Sequence, residues 1–68
     1  MAVYIVNKNA QTNGDHEVHV ITCERLPLKE NRHHLGNFES CKEALVIAKG
    51  YNSEADGCAY CCHECHES

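Results

Sequence analysis

Six cysteines in a chain of 68 residues constrain this fold more than any other feature. Four of them fall in one run near the C-terminus, Cys58-Ala59-Tyr60-Cys61-Cys62-His63-Glu64-Cys65-His66. A chain this short buries only about 60 % of the surface its unfolded form exposes, so apolar burial alone leaves it marginal. Domains below roughly 70–80 residues commonly add a disulfide, a metal ion or a partner subunit. Thiols and imidazoles supply the first two of those staples. The chain therefore reads as one small domain, residues 1–68, whose stability depends on what its cysteines do.

Cysteine usage has to be read against compartment. The start, Met1-Ala2-Val3-Tyr4-Ile5-Val6-Asn7-Lys8-Asn9, lacks a basic stretch followed by a long apolar one, so no signal peptide is expected. No apolar run approaches the ~20 residues of a transmembrane helix, so no membrane partner is expected. The expectation is a cytoplasmic protein, where thiols are usually reduced and clustered cysteines bind metal or do redox chemistry more often than they pair.

Charge excludes one further class. The net charge is −4. Residues 1–53 hold all six Lys and Arg, balanced by six acids, while residues 54–68 hold Glu54, Asp56, Glu64 and Glu67 with no base. Such a tail repels phosphate backbones, so nucleic acid is not an expected partner. A divalent cation would relieve the repulsion.

Local pattern gives the elements. Residues 3–6 and 17–23 are β-branched and aromatic and predict two strands, with Asn13-Gly14 as a tight hairpin turn between them. That turn sets Val6 opposite Ile21, Tyr4 opposite Cys23 and Lys8 opposite His19. The hairpin is placed at residues 2–23. Residues 24–38 hold a connector broken at Pro27 and a short third strand around His33-His34-Leu35-Gly36-Asn37-Phe38, with Gly36 at a bulge or turn. Residues 40–50 predict a helix. Ser40 and Glu43 form a capping box, Cys41, Ala44, Leu45 and Ala48 share one face, and Gly50 supplies a left-handed ending with Tyr51 packed back on Val46. It is too short to stand alone and must dock on the sheet.

The Cys-rich segment, residues 53–66, has two readings. Asp56-Gly57 can launch a strand from a turn. Alternatively Ser53 caps a second helix that lines up Ala55, Cys58, Cys61, Cys62, Cys65 and His66 as one stripe. The stripe favours the helix, although Gly57 weakens it by roughly 1 kcal/mol relative to Ala.

Three kinds of chemistry suit these cysteines. Zinc takes about four thiolate or imidazole donors, and a Cys-x2-Cys turn chelates well. Here Cys58-x2-Cys61 and Cys62-x2-Cys65 abut, so the expected ligands are Cys58, Cys61, Cys62 and Cys65, with Cys23, Cys41 or His66 as substitutes. Buried reduced thiols are the second reading, since free cysteine packs like a small hydrophobe. Disulfide or redox chemistry is the third. Six cysteines allow fifteen pairings, and the vicinal Cys61 and Cys62 are poorly placed to pair with each other. Cys41 lies in a first helical turn that favours thiolate, but it shares a face with Leu45 and Ala48 and reads as structural. His16, His19, His33 and His34 can be drawn into a second site, yet neighbouring strand residues face opposite ways, so they read as surface or half-buried strand residues. Nothing marks an oxyanion pocket or a phosphate loop, so no catalytic residues are assigned.

The segments Leu35-Gly36-Asn37-Phe38-Glu39-Ser40-Cys41-Lys42-Glu43-Ala44 and Gly57-Cys58-Ala59-Tyr60-Cys61-Cys62-His63-Glu64-Cys65-His66, behind an N-terminal hairpin, resemble a group of short uncharacterised bacterial proteins. The resemblance spans nearly the whole chain and implies no particular activity. Its closing motif lacks the long separation between Cys-x2-Cys pairs seen in zinc ribbons.

The sequence thus predicts an α+β domain: a hairpin with two or three strands, one helix and a Cys-rich tail docked on it. Its leading function is a non-catalytic, zinc-binding structural module that serves interaction with another protein. The alternatives are a thiol redox protein or sensor, and a domain whose cysteines are simply buried and reduced.

Overall fold

The computed structural model, which describes residues 1–67, joins four strands in one sheet. The strands are β1 (Ala2–Asn7), β2 (His16–Val20), β3 (Arg32–Phe38) and β4 (Ala55–Gly57), and one helix, α1 (Cys41–Tyr51), lies between β3 and β4. The order across the sheet is β3-β1-β2-β4. β1 is antiparallel to both neighbours, and β4 runs parallel to β2. β3 and β4 therefore point the same way and are split by the hairpin. Like-directed strands need a long crossover, and α1 provides it.

The core lies between the sheet and α1. Tyr4, Val6 and Val18 meet Cys41, Ala44 and Ala48 of the helix, and Ala55, Cys58, Cys62 and Cys65 close the cluster. The predicted helical face is the one that docks. Leu45 packs at its margin, and Ala44 and Ala48 are fully buried. The helix ends differ from expectation. Glu43 reaches back to accept from the Glu39 amide at 3.0 Å, one residue beyond the predicted box, and the Ser40 side chain makes no capping bond. Gly50 is not left-handed; the helix continues through Tyr51 and closes with the Asn52 amide donating to Ala48. Tyr51 packs against His33, ring centroids 4.0 Å apart, and leaves Val46 exposed.

The hairpin register is the consequential difference. Val6 faces Val18, Tyr4 faces Val20 and Ile5 faces His19, three residues away from the predicted alignment. Gly14 has φ +89°, but Asn13 does not share the positive φ that a two-residue turn needs. Instead the Gly14 amide donates to Gln11, and the Asn13 side chain accepts from the Asp15 amide. Gln11 and Asp15 face each other through a backbone bond, so residues 7–10 carry two more positions than residues 16 and 17 opposite. An odd slip turns every β2 side chain over. Val18 and Val20 go to the helix side, and His19 goes to the other side with Ile5.

Of the bulge or turn expected at Gly36, β3 carries the bulge: Tyr4 pairs with Gly36 but Ile5 with His34, so Leu35 is the extra residue. Gly36 has φ +125°, a value that favours glycine. The tail is not a second helix. Ala55–Gly57 forms β4, and only His63–Cys65 makes a single 3-10 turn. Parallel pairing with the exposed edge of β2 satisfies backbone groups that the helical stripe would have left unpaired on that edge.

Candidate metal centre

His19 and three cysteines from two separate segments converge at the β2–β4 edge of the sheet. Cys23 sits just past β2, where the chain turns with the Cys23 amide donating to Val20 at 2.9 Å. Cys58 follows β4 directly, and its amide extends the parallel pairing to the Val18 carbonyl. The chain then reverses, with the Cys62 amide donating to Cys58, and Cys61 comes back toward the edge. Gly57 makes this return tight. A Cβ there would lie 2.7 Å from the Cys62 carbonyl oxygen and from the Cys65 Cβ.

One donor atom each from His19, Cys23, Cys58 and Cys61 lies within 4.8 Å of every other, so this group can hold a metal ion. The donors of a tetrahedral zinc site with ordinary Zn–S and Zn–N lengths are about 3.6–3.8 Å apart. The Cys61 sulfur is 3.8 Å from His19 Nδ1. Two sulfurs are also oriented from behind. The Arg25 amide donates to Cys23 Sγ and the Tyr60 amide to Cys58 Sγ, each at 3.4 Å and each two residues on. Such bonds are strongest to a thiolate. The far nitrogen of His19, Nε2, lies 3.5 Å from Glu17 Oε1, which orients Nδ1 toward the sulfurs.

The electrostatics suit a group that could hold a cation. Burial, helped by Arg32, holds the His19 pKa below the ordinary value and keeps the imidazole neutral, the form that ligates metal. Burial, a hydrogen bond with Cys23 and the neighbouring cysteines push the Cys61 thiol up. Burial likewise raises Cys62. Several thiolates do not coexist in a dry pocket on their own, and a divalent cation reverses that penalty.

The expected ligands are divided by the fold. Cys58 and Cys61 enter the group, together with Cys23 from the substitutes. Cys62 points into the core at 1 % exposure, outside the four-donor group. Cys65 is joined to Cys41 in a disulfide, Cα atoms 6.4 Å apart, which ties the tail to the first turn of α1. His66 donates through Nδ1 to the Gly57 carbonyl at 2.9 Å and lies 3.3 Å from Asp56. The four strand histidines do not gather. His16 bonds the Asn7 carbonyl, His33 packs on Tyr51 and His34 is exposed, while His19 alone joins the cysteines. The sequence signal for His19 was present in Val18-His19-Val20, where an imidazole alternates with two apolar residues; the misplaced turn concealed which side it faced. Comparison with protein-family models, curated proteins and solved structures finds no match to this chain.

Proposed function

We propose that this protein is a non-catalytic, zinc-binding structural module in which His19, Cys23, Cys58 and Cys61 hold one ion. The observation that carries the reading is the convergence of these four donors within 4.8 Å. Three thiolates and one imidazole are a donor set of structural zinc sites, and four protein donors leave no position for a substrate. The two amide–sulfur bonds and the Glu17 carboxylate behind His19 support the same assignment. The ion would clamp the short β4 and the loop after β2 to the hairpin, where β4 contributes only three strand residues of its own.

Metal content and native mass on protein purified without added metal test this directly. One zinc per chain is expected, lost in acid. Cobalt substitution should give the visible bands of a tetrahedral thiolate site. Cys23→Ser and Cys58→Ser should abolish stoichiometric binding and Cys62→Ser should retain it. A metal-free wild type, or binding lost with Cys62→Ser but kept with Cys23→Ser, sinks the assignment.

A further inference from the structure

The four donors are not equally accessible. His19 and Cys58 are each 1 % exposed, whereas Cys23 and Cys61 are only half-buried. Those two line a partly open cleft of about 330 Å³, whose other walls are Glu24, Arg25 and Tyr60. That volume is at the small end of the range for small-molecule sites. The Arg25 guanidinium is held 3.9 Å over the Tyr60 ring, which fixes a cation on the wall, and Glu24 supplies an anion beside it. A cleft with paired sulfurs and one charge of each sign on its walls suits a small peptide-type disulfide bearing both carboxylate and ammonium groups.

We infer that this cleft is a thiol–disulfide exchange site, with Cys23 as the attacking sulfur and Cys61 as the resolving one. Cys23 lies two residues before Arg25 and its sulfur accepts from the Arg25 amide, a bond that stabilises a thiolate and makes Cys23 the attacking sulfur. The Cys23 thiolate attacks one sulfur of the small disulfide, forming a mixed disulfide and expelling one small thiolate. Cys61, hydrogen-bonded to Cys23, gives its proton to the expelled small thiolate and attacks the Cys23 sulfur. The Cys23–Cys61 bond forms and the second small thiolate leaves. Two electrons pass from the cysteine pair to the small disulfide, which ends as two thiols. The site is left with His19 and Cys58, too few donors to retain an ion tightly. This consequence rests on the metal reading; the pairing itself does not.

Oxidised glutathione, added to the full chain with its Cys41–Cys65 bond intact, tests the inference. Metal content before addition judges the zinc reading separately. The expected result is a Cys23–Cys61 bond by peptide mapping, with release of any bound zinc to a chromogenic chelator in step. Bonds mapped to Cys58 or Cys62, or no bond with the thiols still free, overturn it. Cys61→Ser should stall as one glutathione adduct on Cys23, and an adduct elsewhere counts against the assigned order. Arg25→Ala should slow reaction with oxidised glutathione several-fold while leaving the uncharged 2-hydroxyethyl disulfide unaffected; equal slowing of both overturns recognition by charge.

Discussion

Cysteine ties the tail down in one place by a disulfide and, on the proposed metal reading, in a second, and the two ties use it differently. Cys65 meets Cys41 beneath the helix, among Ala44, Ala48 and the sheet, in the apolar core. Cys58 and Cys61 meet Cys23 and His19 at the sheet edge, where amides point at sulfur, a carboxylate backs the imidazole and a cleft opens outward. The four tail cysteines lie within eight consecutive positions. What separates their chemistry is the neighbours each one finds. A covalent staple needs only two sulfurs at suitable separation, while a chelating site needs several donors and groups that stabilise thiolate.

That contrast can be broken from either side. The largest effect is expected at the edge: a chelator should release the ion and loosen β4 and the loop after β2, because binding energy at a structural site is folding energy. Thermal unfolding followed by circular dichroism should show chelation lowering the midpoint more than disulfide reduction does. An unchanged midpoint after chelation, with the ion gone, would show that the edge does not depend on metal. At the core tie, the 24-residue separation of Cys41 and Cys65 predicts a loss of about 3–4 kcal/mol for Cys65→Ser, from loop entropy regained by the unfolded chain. Urea titration measures it, and metal stoichiometry should stay at one, which separates the two ties.

Smaller changes sharpen the comparison. Gly57→Ala places a methyl against both Cys62 and Cys65, where the tail passes from one tie to the other. A cost of about 1–3 kcal/mol is expected from overpacking, together with weaker metal binding; a neutral result would mean that the tail shifts freely. Glu17→Gln should lower zinc affinity by about ten- to a hundredfold in competition titrations and leave the disulfide untouched.

The smallest expected effect is pH dependence of the metal-free protein. His19 has a lowered folded-state pKa, so the unfolded chain binds more protons between that value and the ordinary histidine range. Stability should therefore be fully present above a pH of about 6.5 and fall as pH drops toward the folded-state value, with a slope no steeper than about 1.4 kcal/mol per pH unit. Glu17 works in the opposite sense, because burial raises its pKa and favours folding at lower pH, so the measurement belongs in Glu17→Gln. A flat profile there, absent in neither buffer nor salt series, would deny His19 its buried, neutral state.

Much of the scaffold was legible along the chain because local rules govern it. The apolar face of α1, the bulge near Gly36 and the hairpin follow from periodicity and glycine placement. The register did not follow. Asn13-Gly14 marks a turn, but the side chain of Asn13 and the two extra positions within residues 7–10 decide which turn, and that choice turned His19 over. The tail misled for a related reason. Cys58, Cys61, Cys62 and Cys65 fit a helical stripe in isolation, yet the open edge of β2 captured residues 55–57 as a strand.

By itself, the sequence determined a small α+β domain of marginal apolar burial whose chemistry is concentrated in its cysteines. Only the tertiary structure decided which cysteine joins which partner. Spacing limits what neighbouring residues can do together, but Cys23, Cys41 and His19 reach the tail across strand pairing and helix docking. Those contacts depend on register and edge pairing, which no stretch of local sequence encodes alone.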